Sequence, residues 1–185
     1  MVFLPERLYF LRHAIAVDRD GALYKDDSLR PLTAPGQEKM RRAALGMRAL
    51  GLKFDAIISS RYLRAKQTAE IVIGAYCHTS GLKNKKIHLT DKLLPPASIE
   101  ELLQEIHANF PKAKNILLVG HQPHLTQMIS SLLKSDPNGR GQASSLLDID
   151  FKKGGLCHLT LDNTRATLNW LLTPEQLRLM GKTLN

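Results

Sequence analysis

Arg12-His13, Arg64 and Gly120-His121 are the residues of this chain whose types could do chemistry together. An arginine fork donates two parallel hydrogen bonds to a tetrahedral oxyanion, a geometry that lysine does not reproduce. A neutral imidazole carries a free lone pair at pH 7 and is a competent nucleophile toward phosphorus. Two arginines and two histidines gathered at one point would repel one another unless an anion joined them. A phosphoryl group fits that role best. Taken singly, each residue has a plainer reading: a histidine beyond a strand is usually a hydrogen-bonded loop residue, and an arginine near a helix start is usually solvated. What separates the two readings is convergence, which depends on the elements that carry them.

Residues 7–12 (Arg-Leu-Tyr-Phe-Leu-Arg) read as a short strand that ends on Arg12-His13. A polar loop over residues 18–30 follows, and Asp18 and Asp20 in it could shape a pocket entrance. Thr33 and Pro35 then open a helix that stops at Gly51. Residues 54–58 predict a second strand, with Ser59-Ser60 as caps for a helix to about Ala75 that carries Arg64 in its first turn. Residues 87–89 predict a third, short strand, and residues 98–109 a helix with apolar positions at Ile99, Leu102, Leu103 and Ile106. The clearest strand is 115–119, four aliphatics in a row, which ends on Gly120-His121. A helix over 123–133 and a surface loop over 134–146 come next. Residues 156–161 and 167–171 pair around Asp162-Asn163-Thr164, and Thr173-Pro174-Glu175-Gln176 is a capping box opening a last helix.

Strands alternating with helices predict a three-layer α/β/α fold with a mostly parallel central sheet and an antiparallel edge strand. In such sheets ligands bind outside the carboxyl ends of the strands. Three strand ends there deliver the two arginines and two histidines to one rim, and no acidic residue stands directly at those ends.

With 185 residues, 43% hydrophobic and 23% charged, the chain predicts one globular domain over residues 1–185. Cys77 and Cys157 form no Cys-x-x-Cys pair and support neither a disulfide framework nor a zinc knuckle. The first residues have no signal-peptide pattern, and no apolar run approaches the ~20 residues of a membrane helix. A cytoplasmic chain away from membranes is therefore expected, and with no long apolar seam, a monomer. The formal charge of +9 favours acidic partners, through either a generally basic surface or a dedicated docking face. The densest basic cluster, Lys83-Asn84-Lys85-Lys86, is short and lacks interleaved aromatics, so no nucleic-acid partner is expected.

Leu11-Arg12-His13-Ala14 resembles the Arg-His-Gly signature of the histidine phosphatase superfamily, with its phosphoglycerate-mutase-like fold. Ser59-Ser60-Arg61-Tyr62-Leu63-Arg64-Ala65-Lys66-Gln67-Thr68-Ala69 resembles its second motif and Val119-Gly120-His121 its third. Within that superfamily the chain is most similar to the SixA-type phosphohistidine phosphatases. The similarity extends to Arg30-Pro31-Leu32-Thr33, His121-Gln122-Pro123-His124 and Leu168-Asn169-Trp170. The resemblance implies that His13 is the phosphorylated nucleophile, that Arg12, Arg64 and His121 form the phosphate clamp, and that Arg30 lines the pocket mouth. It implies no cofactor and no metal. Arg61 stands where many members have Pro, and Ala14 replaces Gly.

Larger members carry a Glu or Asp general acid after the third strand, where this chain reads Leu93-Leu94-Pro95-Pro96-Ala97. General acid catalysis toward an alkoxide leaving group is worth ~10²–10⁴-fold. A phosphoramidate has a labile P–N bond and a much less basic leaving group, so a site without an acid suits phosphohistidine. Glu100 or Asp91 reaching the pocket would undo that expectation. The short chain leaves little room for lids, and an open pocket admits a histidine projecting from another protein. A phosphohistidine-bearing protein, such as a phosphotransfer domain of a signalling relay, is thus the expected partner and substrate.

Three rivals remain: a phosphatase for small phosphate monoesters, a phosphoprotein-binding module without turnover, and a metal hydrolase using His13, His121 and His124. The last fits poorly, since no carboxylate joins these histidines at a predictable spacing and the arginines would repel a divalent cation. His124 reads as a helix-start residue, and His78, His88, His107 and His158 as structural or exposed.

Overall fold

A computed structural model describes residues 4–19, 24–76, 86–134, 147–162 and 165–184. Asp20, Cys77, His78, residues 83–85 of the basic cluster, residues 135–146 of the loop and Asn163-Thr164 of the turn lie outside them. Six strands form one sheet: β1 (Arg7–Arg12), β2 (Ala56–Ser60), β3 (His88–Thr90), β4 (Asn115–Gly120), β5 (Leu156–Leu161) and β6 (Ala166–Leu172). Their order is β3-β2-β4-β1-β5-β6. The first four run parallel, and β5 is antiparallel both to β1 and to the edge strand β6. The antiparallel part of the sheet is thus the hairpin at one end.

Period-2 alternation sorts the strand side chains into two cores. Tyr9 and Leu11 of β1, Ile57 of β2, and Leu117 and Val119 of β4 face one side. There they pack against α1 (Ala34–Ala49), α2 (Leu63–Tyr76) and α5 (Pro174–Gly181) through Met40, Met47, Val72 and Leu177. Leu8, Phe10, Ile58, Ile116 and Leu118 face the other side, against α3 (Ile99–Asn109) and α4 (His124–Lys134) through Leu102, Ile106, Leu125 and Ile129. With helices on both faces, β2 and β4 are buried almost throughout, so β4 is an aliphatic run and β2 is apolar until its last two residues, the buried Ser59 and Ser60.

Local chemistry sets the ends of these elements. The Thr33 side chain accepts from the Gly36 N–H and Pro35 sits in the first turn of α1, while Gly51 leaves it at φ 68°. Ser98 with Glu101 and Thr173 with Gln176 form the capping boxes of α3 and α5. Ser59 and Ser60 differ from expectation. They are the last residues of β2, and α2 begins only at Leu63. Burial among β2's neighbours wins over their capping propensity, and Ser60 keeps a turn role by accepting the Tyr62 N–H at 3.2 Å.

Helices α1 and α5 approach through glycines. A Cβ on Gly46 would overlap the Leu177 carbonyl oxygen, and one on Gly181 would lie 2.7 Å from the Arg42 carbonyl oxygen. Gly46→Ala is therefore expected to cost roughly 1–3 kcal/mol, as over-packing does. At about 2–4 °C per kcal/mol for a chain of this size, thermal unfolding should show a clear fall in Tm. An unchanged Tm would contradict this close packing.

The chain leaves β1 toward β2 over one face, and leaves β4 toward β5 over the other. The carboxyl ends of the adjacent strands β1 and β4 therefore form the switch point at which open α/β sheets bind ligands.

Candidate active site

His13 continues the line of β1, and its N–H donates to the Gly120 carbonyl at 3.0 Å, stitching the ends of β1 and β4 together. His121 follows β4 directly, and the two imidazoles lie with ring centroids 5.1 Å apart. Tyr62, ahead of α2, covers both partners of that corner: its ring lies 5.1 Å from the His121 ring and beneath the Arg64 guanidinium, at 4.9 Å. The structure thus brings His13, His121 and Arg64 to one buried corner, with Arg12 on its flank.

The hydrogen bonds assign the tautomers. His13 Nδ1 lies 2.7 Å from the Ala14 carbonyl oxygen, an acceptor, so Nδ1 carries the proton and Nε2 the lone pair. His121 Nε2 lies 2.9 Å from Ser60 Oγ. That oxygen also accepts the Tyr62 N–H, and its own proton is free to go to Nε2, the arrangement that leaves the His121 proton on Nδ1 as a donor. Arg12 is aimed by a 2.6 Å bond from Nη1 to the Phe151 carbonyl. The Phe151 turn is in turn fixed to β1 by Gly154, whose N–H donates to the Arg12 and His13 carbonyls from a backbone at φ 80°.

Burial is the main influence on both rings. It lowers the His13 pKa to about 3; the Ala14 carbonyl opposes this, and Arg64, Arg12 and Lys153 add to it. His121 is lowered as well, by burial first and then by His13 and Arg64, with Asp27 opposing. Both rings are neutral at pH 7. The His13 ring should therefore show no titration by NMR between pH 5 and 8, and an inflection near 6.5 would contradict this environment. Stability follows with a definite sign. Both folded pKa values lie below the unfolded one, so the unfolded state binds more protons below pH 6.5. The full stability is present above that value, and each ring costs about 1.4 kcal/mol per pH unit as the pH falls below it.

Asp27 is the residue missed by sequence reasoning. It lies in a short 3-10 turn, Asp27–Leu29, within the polar loop. Arg64 Nη2 donates to its Oδ2 at 2.8 Å, Arg64 Nη1 to its backbone carbonyl at 2.7 Å, and Arg30 Nε to its Oδ1 at 2.8 Å. Burial pushes the Asp27 carboxyl up, but the bonds and charges of Arg64 and Arg30 outweigh it and hold the group ionised below the usual range. Its signal was the Asp27/Arg30 spacing of three residues in a helical turn. Arg30 itself stands behind Asp27, with Nη1 donating to the Val17 carbonyl at 2.6 Å. Ser60 and Thr68 were also missed as site supports. Thr68 Oγ1 takes the Ala14 N–H at 3.0 Å and donates to the Arg64 carbonyl at 2.7 Å, tying the first motif to the second.

Of the other candidates, His124 acts on the corner by adding to the lowering of the His121 pKa. Asp91 is exposed and pairs with Arg61 at 3.2 Å, and Glu100 faces solvent in the first turn of α3. Asp18 is exposed. His124 is buried at the start of α4, its pKa lowered by burial against bonds to Gln127 and the Lys92 backbone. His158 stacks on Tyr9 at 4.5 Å, and His88 pairs with Glu105 at 2.6 Å. Among the described residues no group of three or more His, Cys, Asp or Glu side chains could hold a metal ion, and no helix is long and apolar enough to cross a membrane.

Three N–H groups at the corner, Arg12 Nε, Arg64 Nε and His121 Nδ1, are buried without a hydrogen-bond partner. Buried donors of this kind cost about 1–3 kcal/mol each when unmatched. Donors of these types, near a nucleophilic imidazole nitrogen, are the kind that a tetrahedral oxyanion accepts once it reaches them.

The chain resembles known proteins in sequence and in fold. The profile of the histidine phosphatase superfamily (branch 1) matches residues 8–83. An uncharacterised protein of Picosynechococcus sp. (strain ATCC 27264 / PCC 7002 / PR-6) is 38% identical over 127 residues, 68% of this chain and 72% of that one. The protein histidine phosphatase SixA, solved with tungstate, superposes with a TM-score of 0.71 at 22% identity, covering 92% of this chain and 99% of that one. A structure from Agrobacterium tumefaciens assigned to the SixA phosphohistidine phosphatases gives 0.67 at 25% identity, over 92% and 99%. The chain belongs to the histidine phosphatase superfamily, and its fold matches that of the SixA-type members.

Proposed function

We propose that this protein hydrolyses phosphohistidine on a partner protein, through a phosphoryl group carried on His13 Nε2. The observation that carries the reading is the pairing of a free imidazole lone pair with a pocket whose nearby carboxylate, Asp27, is held ionised by two arginines and has no proton to give. In the first step the His13 Nε2 lone pair bonds to phosphorus as the P–N bond of the substrate breaks. The substrate ring, protonated on its other nitrogen, takes the electrons and departs as neutral imidazole, while His13 keeps its Nδ1 proton on the Ala14 carbonyl. Nucleophile and leaving group are the same chemical group, so the exchange is close to balanced and needs no strong acid. Arg12, Arg64 and His121 Nδ1 hold the equatorial oxygens, where charge spreads in a loose transition state. In the second step water attacks phosphorus, the Nε2–P bond breaks toward His13, and phosphate leaves with the water's protons, restoring the neutral ring.

An alkyl phosphate would need its alkoxide protonated. Asp91 and Glu100, which could have served, are engaged with Arg61 and with solvent. The likeness to the structure assigned to the SixA phosphohistidine phosphatases supports the same substrate. The test is hydrolysis, in EDTA, of a phosphohistidine protein and of an alkyl phosphate monoester by the purified protein. A kcat/KM at least about 10²-fold higher for phosphohistidine is expected, the lower end of what a general acid supplies to an ester. Faster turnover of the ester would move the substrate to small molecules, and silence on both would make the site a binding module.

A further inference from the structure

Next to the His13 corner, on the other side of Arg12, lies a groove of about 600 Å³ that the phosphoryl chemistry does not use. Its floor is apolar, built from Ala14, Ile15, Met40 and Pro174. Its rim carries Lys39 from α1, Lys152 and Lys153 from the Phe151 turn, and Arg178 from α5. With Arg12 at the inner end, five cationic side chains face one carboxylate, Glu175. Lys152 pairs with Asp150 at 2.7 Å and Arg178 with Glu175 at 3.1 Å. Lys39 and Lys153 have no ion pair among the described residues.

We propose that this groove binds an acidic, extended segment of the substrate protein, the residues that flank its phosphohistidine. The idea rests on the function proposed above for the substrate's identity, and on the groove alone for the binding. Three features select a peptide. The rim is strongly positive and two of its cations lack internal partners, so an anionic chain gains attraction without breaking existing pairs. The floor is apolar, and side chains alternating along an extended segment would fill it while acidic ones meet the rim. Among the described residues no aromatic one lines the groove, which gives the bases of a nucleic acid no stacking platform there. The groove is also held in shape: Gly154 anchors the lysine-bearing turn to β1, and the Thr173–Gln176 capping box fixes the start of α5. Because Arg12 belongs to both groove and corner, a segment lying in the groove leads its phosphohistidine to His13.

The binding test uses a fluorescent, unphosphorylated peptide of alternating Glu and Leu, a basic counterpart with Lys for Glu, and fluorescence anisotropy. Lys39→Glu and Lys153→Glu reverse charge at the rim. Lys114→Glu makes the same change in net charge at the opposite, amino-terminal end of β4. The acidic peptide is expected to bind the wild type in preference to the basic one, with affinity falling as salt rises. Each rim variant should weaken binding about tenfold, as loss of a close charge contact does, and Lys114→Glu by less than about twofold, as a distant exposed charge does. His13→Ala should bind the peptide as the wild type does, so a failure of the catalytic reading would leave this result standing. Equal loss in all three charge variants would overturn the proposal in favour of diffuse attraction, and no loss in any would overturn it outright. Tighter binding of single-stranded RNA or of anionic vesicles, with the same sensitivity to Lys39 and Lys153, would also overturn it.

Discussion

His13→Ala is expected to lower the turnover of phosphohistidine by about 10⁴–10⁶-fold, the range seen when a nucleophile is removed from a preorganised site. The magnitude follows from what remains. Water entering the vacated space would have to attack phosphorus with no general base beside it, because Asp27 is tied to Arg64 and Arg30 and His121 donates through Nδ1. Binding should survive better than turnover, since Arg12, Arg64 and His121 still present their donors. A phosphohistidine protein should therefore bind the variant with an affinity within about tenfold of the wild type. Comparable loss of binding and of turnover would mean that His13 holds the pocket together instead of reacting.

The second large effect concerns Arg64. Arg64→Lys keeps the charge but loses the fork, and removing one oriented donor of this kind costs about 10²–10³-fold in kcat. The loss extends beyond a single hydrogen bond, because Arg64 is set by three contacts at once: Asp27 on its two terminal nitrogens, Tyr62 under its plane, and Thr68 on its backbone carbonyl. If Asp27 acts by aiming that fork, Asp27→Ala should cost roughly ten- to hundredfold alone. It should then add little to Arg64→Ala in the double variant, since residues that act as a unit are strongly non-additive. Full additivity in that cycle, measured on kcat, would show that Asp27 and Arg64 work independently.

The fold was largely legible because its strongest signals are local. Four consecutive aliphatics mark β4, Thr33 with Pro35 opens α1, Thr173-Pro174-Glu175-Gln176 opens α5, and Pro123 stands just ahead of α4. The gathering of Arg12, His13, Arg64 and His121 was legible for a topological reason, since each follows a strand whose carboxyl end must lie on one rim. The misread part sits where tertiary contacts override propensity. Ser59 and Ser60 have capping side chains, yet the pairing of β2 with β3 and β4 extends the strand through Ser60 and keeps both serines buried. Asp27 escaped because its partner Arg64 is 37 residues away, and the short-range Asp27/Arg30 spacing marks an ion pair in a turn without pointing to the crossing to Arg64. The rim of the groove escaped for the same reason: Lys39, Lys153 and Arg178 belong to three separate segments. Their charge was visible only in the total of +9, which could equally have been a diffuse basic surface.

The central claim is that phosphorus passes through Nε2 of His13, and the most direct measurement is to catch it there. A single turnover with a phosphohistidine protein, stopped with alkali to preserve phosphoramidates and followed by peptide mapping, should show one phosphorylated enzyme peptide. That peptide should contain His13, and its label should appear and decay at rates consistent with phosphate release. Full turnover with no labelled enzyme, or a label on His121 or any other residue, would contradict the account.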